Sequence, residues 1–576
     1  MRANETNSHP SSSEPRRSGT GRNEPDFDAV VVGAGFGGLY MLHKLRNELG
    51  LKVRAFDKAK GVGGTWYWNR YPGALSDSHS HVYRYSFDRT LLQEWDWPNW
   101  YLTQPEILTY LEHVADRYEL RGDIQLNTTV TAMVFDESRD LWTIRTDLGE
   151  VYTARFLVNA LGLLSAANIP DIPGLEDFTG ELYHTGEWPQ EGVHLSGKRV
   201  GVIGTGSTGV QLITAIAPEV GHLTVFQRSP QYSVPTGNGV VPRQTAAEIK
   251  SNYDRIWQDV RDSFVAFGIE ESTVPAMSVS EEERQAVFQA AWNKGNGFYF
   301  MFGTFSDIAT DWDANEAAAS FIRGKIAEIV DDPETARKLT PQEPYAKRPL
   351  CDSGYYRTFN RANVSLVDVK ANPIEEITDN GVKTADGVEH ALDVLIFATG
   401  FDAVDGNYRK CEIRGRAGRT INEHWQDGGK GYLGIATAGF PNMFMILGPS
   451  GPFTNLPPAI EAQVEWISEL IDHMRQHDQT AVEVAEPSEA RWVADCQELA
   501  DQTVFAHVDS WIFGANIPGK VRNALFYFGG LRAYRDILSR LAAEGYEGFV
   551  LRGSDAATPP DSQQPTEHDE AREGAL

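Results

Sequence analysis

At 576 residues the chain is long enough for two or three domains, because single hydrophobic cores rarely grow past about 250 to 300 residues. Its formal net charge of −28, with no Lys/Arg run longer than a pair such as Arg16 and Arg17, excludes a phosphate-backbone footprint and hence nucleic acid as a partner. The three cysteines, Cys351, Cys411 and Cys496, form no C-x-x-C, which argues against a disulfide framework, a zinc site or a dithiol redox centre.

In chain order, residues 1 to 26 are rich in Ser, Pro and Glu, a composition that cannot bury enough apolar area to order itself, so a disordered tail is expected. This stretch lacks the apolar core of a leader, and no later run approaches the roughly 18 to 20 apolar residues of a membrane span. The chain therefore reads as cytoplasmic, with no membrane partner. A strand, a glycine turn, an amphipathic helix and a second strand follow in DAVVVGAGFGGLYMLHKLRNELGLKVRAFDK, and the pattern recurs in KRVGVIGTGSTGVQLITAIAPEVGHLTVFQRS. From 236 to 340 the pattern turns helical, with Ser280 and Glu283 spaced as a capping box. Strand-like runs return at VLIFATGF (394 to 401) and MFMILGP (443 to 449), where the chain re-enters the earlier sheets. Residues 553 to 576 form a second polar tail.

The glycines carry the first chemistry. Gly33, Gly35 and Gly38 follow a strand and open a helix, and Gly204, Gly206 and Gly209 do the same. Such a turn lets backbone N–H groups at a helix N-terminus approach a pyrophosphate. Asp57 stands 24 positions after Gly33, and Arg228 stands 24 after Gly204. A carboxylate at that strand end accepts a ribose diol, whereas a guanidinium favours a 2′-phosphate. The first module therefore suits FAD and the second NADPH, against the plainer alternatives of an empty glycine turn and a solvated strand-end arginine. The expected fold class is α/β, with two Rossmann-like dinucleotide-binding domains and an inserted helical subdomain. The FAD domain takes 27–165 and 395–552, the NADP domain 166–235 and 341–394, and the insertion 236–340.

Ahead of the second module, Phe178, Gly180, His184, Trp188 and Pro189 in FTGELYHTGEWP fit the F-x-G-x-x-x-H-x-x-x-W-P pattern of the Baeyer-Villiger monooxygenases. The chain resembles that family from about 27 to 550. Its strings ALGLLSAANIPDIPG, YAKRPLCDSGYY, ATGFDAVDGNY and GPFTNLPP bring it nearest to the cyclohexanone-oxidising members. In GGTWYWNRYPGALSD and beyond, the resemblance implies that Thr65, Trp66, Asp77 and Tyr83 contact FAD. It places Ser207, Thr208, Gln211, Arg228, Ser229 and Lys347 against NADP, with Trp511 of SWIFGANIPGK closing over the nucleotide. It makes Arg348 the catalytic arginine, held by Asp77, and implies an apolar pocket of Leu163, Phe267, Phe298, Phe453, Leu456 and Phe526. For His184 the family pattern suggests support of a domain linker.

What the resemblance implies for activity is the NADPH-driven insertion of one oxygen atom of O₂ beside the carbonyl of a small-molecule ketone, through an oxygen adduct of the reduced flavin. Cyclic ketones such as cyclohexanone would give lactones. A fixed guanidinium suits this chemistry because it stays charged and stabilises developing negative charge. The nearest rival is an N- or S-oxygenating flavin monooxygenase, against which Trp188 and Arg348 count. A silent nucleotide-sensing protein is a rival from another class, and the cysteine spacing excludes a disulfide reductase. Ser450 and the segment VRNALFYF leave the preferred ketone open, and no oligomer is predicted.

Overall fold

The computed structural model describes residues 24–553, so most of both predicted tails lies outside the described residues. Two tail boundaries need correction. Asp26 is tied down, its N–H donating to Thr153 Oγ1 at 3.0 Å while its carboxylate accepts from Thr153 N at 2.8 Å. Gly553 ends the strand Phe549–Gly553, which pairs antiparallel with Gln479–Val484. Both residues satisfy backbone groups that a tail would leave to water.

Two sheets organise the molecule. The first runs Glu412–Arg414, Val130–Asp136, Leu141–Thr146, Val151–Asn159, Phe27–Val32, Val53–Phe56, Ile124–Gln125, with Met443–Met445 paired to Val151–Asn159. The second runs Val364–Asp368, His222–Gln227, Arg199–Ile203, Val394–Phe397, Glu181–His184, and all its pairs are parallel. Val30, Val31, Val200 and Val202 are wholly buried, as expected for parallel strands covered on both faces.

The strand Val394–Phe397 corrects the sequence reading, which assigned residues from 395 onward to the FAD domain. It lies between Arg199–Ile203 and Glu181–His184 in the second sheet. The reason is a shared glycine geometry. Gly33 has φ +108° and a Cβ there would sit 2.3 Å from Ala160 O; Gly204 has φ +108° and a Cβ there would sit 2.4 Å from Ala398 O. Each first turn thus closes onto the residue after its neighbouring parallel strand, and Ala398 serves the second sheet as Ala160 serves the first.

The intervening helices include Arg243–Ser251, Tyr253–Asp262, Glu281–Lys294, Trp312–Ile329 and Pro333–Leu339. The capping box at Ser280 and Glu283 is formed in both directions, at 2.9 Å and 3.3 Å. This region is anchored by Phe288, Phe300, Phe305 and Phe321, which pack on one another. Ser233–Pro235 leads into the helical stretch and Leu350–Asp352 follows it, and the two strands pair in parallel. That pairing returns the chain, just after Arg348, to the second glycine turn. Among the described residues no helix is long and apolar enough to cross a membrane.

Candidate active site

A single cavity of ≈ 1090 Å³ extends from the first glycine turn to the second. Its first end is floored by Gly33, Gly35, Gly63 and Gly64; a Cβ on Gly35 would press on Gly64 Cα at 3.2 Å. Asp57 reaches back to the turn, its Oδ2 accepting from Ala34 N at 2.7 Å and its Oδ1 from Ala59 N at 2.8 Å. Burial pushes this carboxyl upward against the opposing pull of those two bonds. Thr65 and Trp66 open the short helix Thr65–Trp68, and Trp66 Nε1 donates to Tyr83 Oη at 3.1 Å. Burial raises the Tyr83 phenol to about 12, so it remains a neutral acceptor for that bond.

At the second end, a Cβ on Gly206 would meet nothing within 4 Å although Gly206 lines the cavity. Bare backbone there faces open space of the kind a pyrophosphate fills. Ser207, Thr208, Arg228, Ser229 and Lys347 line the same end. Arg228 is exposed and forms no ion pair among the described residues, whereas Lys347 Nζ lies 2.6 Å from Glu343 Oε2. Lys347 would therefore have a carboxylate to leave or share before holding a phosphate. The acidic strand end on one floor and the basic one on the other fit FAD and NADPH respectively.

Three sequence-predicted residues occupy different positions from the rest. Gly38 and Gly209 do not line the cavity; a Cβ on either would strike the carbonyl of Gly33 or Gly204, at 1.8 Å and 2.3 Å, so they seat their helices against the strands. Gln211 touches the cavity, yet its Oε1 accepts from Tyr71 Oη at 2.8 Å and its Nε2 donates to Leu75 O at 3.1 Å. Its side chain joins the second module's helix, Ser207–Ile216, to the loop that carries Asp77.

Between the two ends stands the ion pair. Arg348 Nη2 lies 2.7 Å from Asp77 Oδ2, and Nη1 donates to Ser207 Oγ at 3.3 Å. The Asp77 side chain is 4% exposed and the Arg348 side chain 28%, so the carboxylate is the fixed partner while the guanidinium opens onto the cavity. Burial opposes the charge on Arg348, but the Asp77 carboxylate and its hydrogen bond prevail and hold the guanidinium above its ordinary range. Arg348 Cζ lies 5.2 Å from the centroid of Phe298, whose ring stacks on Phe267 at 3.9 Å and 19°. Leu163, Phe453, Leu456 and Phe526 line the same cavity; Phe453 meets Phe526 at 5.4 Å, and Trp511 meets Phe526 edge-on at 5.8 Å.

The Trp511 segment is pinned from behind by Asn516 Nδ2, which donates to Phe401 O at 2.8 Å, and by Lys520, which pairs with Asp402 and Asp405. His184 does not line the cavity. Its Nδ1 accepts from Gly186 N at 3.0 Å and its ring meets Phe401 edge-on, on the connection that follows Val394–Phe397. Sequence reasoning missed Val265, Phe302 and Asn455, which also line the cavity. Phe302 had a legible signal, since it lies four positions, one helical turn, after Phe298.

Comparison with known proteins decides the family. The sequence model described as pyridine nucleotide-disulphide oxidoreductase matches residues 30–258. A Baeyer-Villiger monooxygenase of Pseudooceanicola batsensis is 58% identical over 525 residues, covering 91% of this chain and 96% of that protein. A closed crystal structure of cyclohexanone monooxygenase superposes with a TM-score of 0.91 at 62% identity, covering 92% of this chain and 99% of that one.

The chain belongs to the Baeyer-Villiger monooxygenases. As one of these NADPH-dependent flavoprotein monooxygenases it takes FAD and NADPH as cofactors. The disulphide in the matched model's description finds no counterpart here, because Cys351, Cys411 and Cys496 are all free. A phenazine N-monooxygenase of Lysobacter antibioticus is 59% identical over 525 residues, covering 91% of this chain and 97% of that protein. Identity at that level removes the argument that family motifs alone rule out oxidation of nitrogen.

Proposed function

We propose that this Baeyer-Villiger monooxygenase inserts one oxygen atom of O₂ next to the carbonyl of cyclic ketones such as cyclohexanone, yielding lactones. The observation that carries the reading is the Asp77-anchored guanidinium of Arg348, set 5.2 Å from the Phe298 ring in a cavity shared by both nucleotide floors. Gly33, Gly35, Asp57, Thr65, Trp66 and Tyr83 would hold FAD; Gly204, Gly206, Ser207, Thr208, Arg228, Ser229 and Lys347 would hold NADPH. When bound and reduced, FAD supplies the activated oxygen.

The remaining work belongs to the protein. Arg348 keeps its proton at any working pH and presents several fixed N–H donors to an anion. It stabilises the negative charge that grows on the ketone oxygen as the carbonyl is attacked, in the manner of an oxyanion hole. Asp77 prevents the guanidinium from rotating away. Leu163, Phe267, Phe298, Phe453, Leu456 and Phe526 orient an apolar ring and exclude water, and Trp511 closes over the nicotinamide nucleotide.

The test is direct. Purified enzyme is expected to be yellow and to consume NADPH faster when cyclohexanone is added, with a lactone identified by mass. Arg348→Ala is expected to retain FAD while lactone formation falls by roughly 10²-fold or more; near-normal lactone from that variant would remove Arg348 from the chemistry. A second reading is favoured by the similarity to the phenazine N-monooxygenase and by the stacked aromatic wall, which suits a flat heteroaromatic ring. An N-oxide from a phenazine, with cyclohexanone left untouched, would establish it instead.

A further inference from the structure

Asn296 is a buried residue in the left-handed region, with φ +78° and 3% exposure. Gly295 before it has φ +85°. Asparagine tolerates this conformation better than most side chains because its short amide bonds locally. Here both ends of the amide are used. Nδ2 donates to the main-chain carbonyl of Asp77 at 2.9 Å, and Oδ1 accepts from the N–H groups of Phe298 and Tyr299 at 2.9 Å and 3.0 Å. The main-chain N–H of Asn296 donates to Pro235 O at 2.8 Å, and that of Gly297 points to Cys351 Sγ at 3.2 Å.

One carboxamide therefore ties together the loop of Asp77, the turn of Phe298 and, through its neighbour, the strand that follows Arg348. The two groups that bracket the guanidinium, the Asp77 carboxylate at 2.7 Å and the Phe298 ring at 5.2 Å, are set from the same side chain. We propose that Asn296 is a positioning residue for oxygen transfer, fixing Asp77 and Phe298 so that Arg348 and the ketone are held in register. This rests on the Baeyer-Villiger reading of the site. Asn296 touches neither cofactor nor substrate in this assignment; it acts through the residues that do.

The two ends of the amide have separable tasks, and that makes the proposal testable. Asn296→Asp keeps an oxygen to cap Phe298 and Tyr299 but loses the donor to Asp77. Asn296→Gly accepts the backbone conformation and loses both. In FAD-loaded enzyme, Asn296→Asp is expected to keep the KM for cyclohexanone within about twofold of wild type while lactone formed per NADPH consumed falls about fivefold. Asn296→Gly is expected to lose coupling and also to raise the ketone KM about tenfold, the consequence of freeing the Phe298 wall. The KM for NADPH should not move in either.

Wild-type KM and coupling in both variants would overturn the proposal, as would identical losses in both accompanied by a lowered Tm, the mark of a merely structural role. Should Asn296→Gly fail to fold, Asn296→Asp decides alone, since unchanged coupling there is sufficient refutation. Wild-type enzyme assayed alongside separates the two layers. No lactone from wild type sinks the functional reading, whereas lactone from wild type with unaltered variants sinks only the role of Asn296.

Discussion

Arg348 and Asp77 illustrate how a charge becomes useful by unequal burial. A pair wholly in solvent contributes about 0 to 1 kcal/mol, and a pair wholly buried struggles to recover its desolvation cost. With Asp77 buried and Arg348 partly open, the pair's attraction orients the guanidinium, which lines the cavity. A different carboxyl carries a pH signature. Glu461, on the helix Leu456–Gln476 whose first residue lines the cavity, accepts from Ser86 N at 2.5 Å and from Ser86 Oγ. Burial first, and then the neighbouring Glu465, push it up from 4.5 to about 7. Between those values the folded protein binds a proton that the unfolded chain has released, so stability falls as pH rises through that window. The shift corresponds to roughly 3 kcal/mol at most. Glu461→Gln should flatten the difference in denaturation midpoint of the holoenzyme between pH 5 and pH 8. A variant as pH-sensitive as wild type would show that Glu461 does not titrate there.

At the scale of elements, each strand–turn–helix unit depends on one glycine with φ +108° whose absent Cβ makes room for a carbonyl oxygen. Alanine at such a position adds strain and a clash with backbone, which cannot yield as a side-chain tip could. Because the two units sit in separate sheets, their losses should separate. Gly33→Ala is expected to purify colourless, with flavin absorbance lost. Gly204→Ala is expected to keep its flavin while the KM for NADPH rises at least tenfold; equal loss of flavin in both variants would contradict the assignment of one nucleotide to each floor. The glycines and the strand-end residues Asp57 and Arg228 were legible in sequence because local spacing dictates them. The sheet membership of Val394–Phe397 was not. A short apolar strand looks alike in either sheet, and the distinguishing feature, Ala398 receiving the Gly204 turn as Ala160 receives the Gly33 turn, appears only once the strands are paired.

For the whole molecule, the question is how two nucleotide floors are kept at a working separation. Gln211 on the helix Ser207–Ile216 clasps Tyr71 and Leu75 on the loop leading to Asp77, and Gly73 in that loop packs so closely that a Cβ would lie 2.7 Å from Gln211 O. Tyr71→Phe removes the hydroxyl and leaves the ring. It should retain FAD and lose roughly half or more of its lactone per NADPH, since releasing one buried hydrogen bond costs about 1 to 3 kcal/mol where a partner is stranded; full coupling would show that the clasp is dispensable. By itself the sequence determined the two nucleotide modules and the sign of charge at each strand end, because these follow from spacing along one stretch of chain, whereas Arg348 was singled out only by the family resemblance. Only the tertiary structure decided that Gln211 serves a joint between the two modules and that Asn296 gathers Asp77 and Phe298 around one amide. Those contacts join residues far apart in sequence or depend on a left-handed turn, and such pairings are set by how the elements pack, which no local pattern encodes.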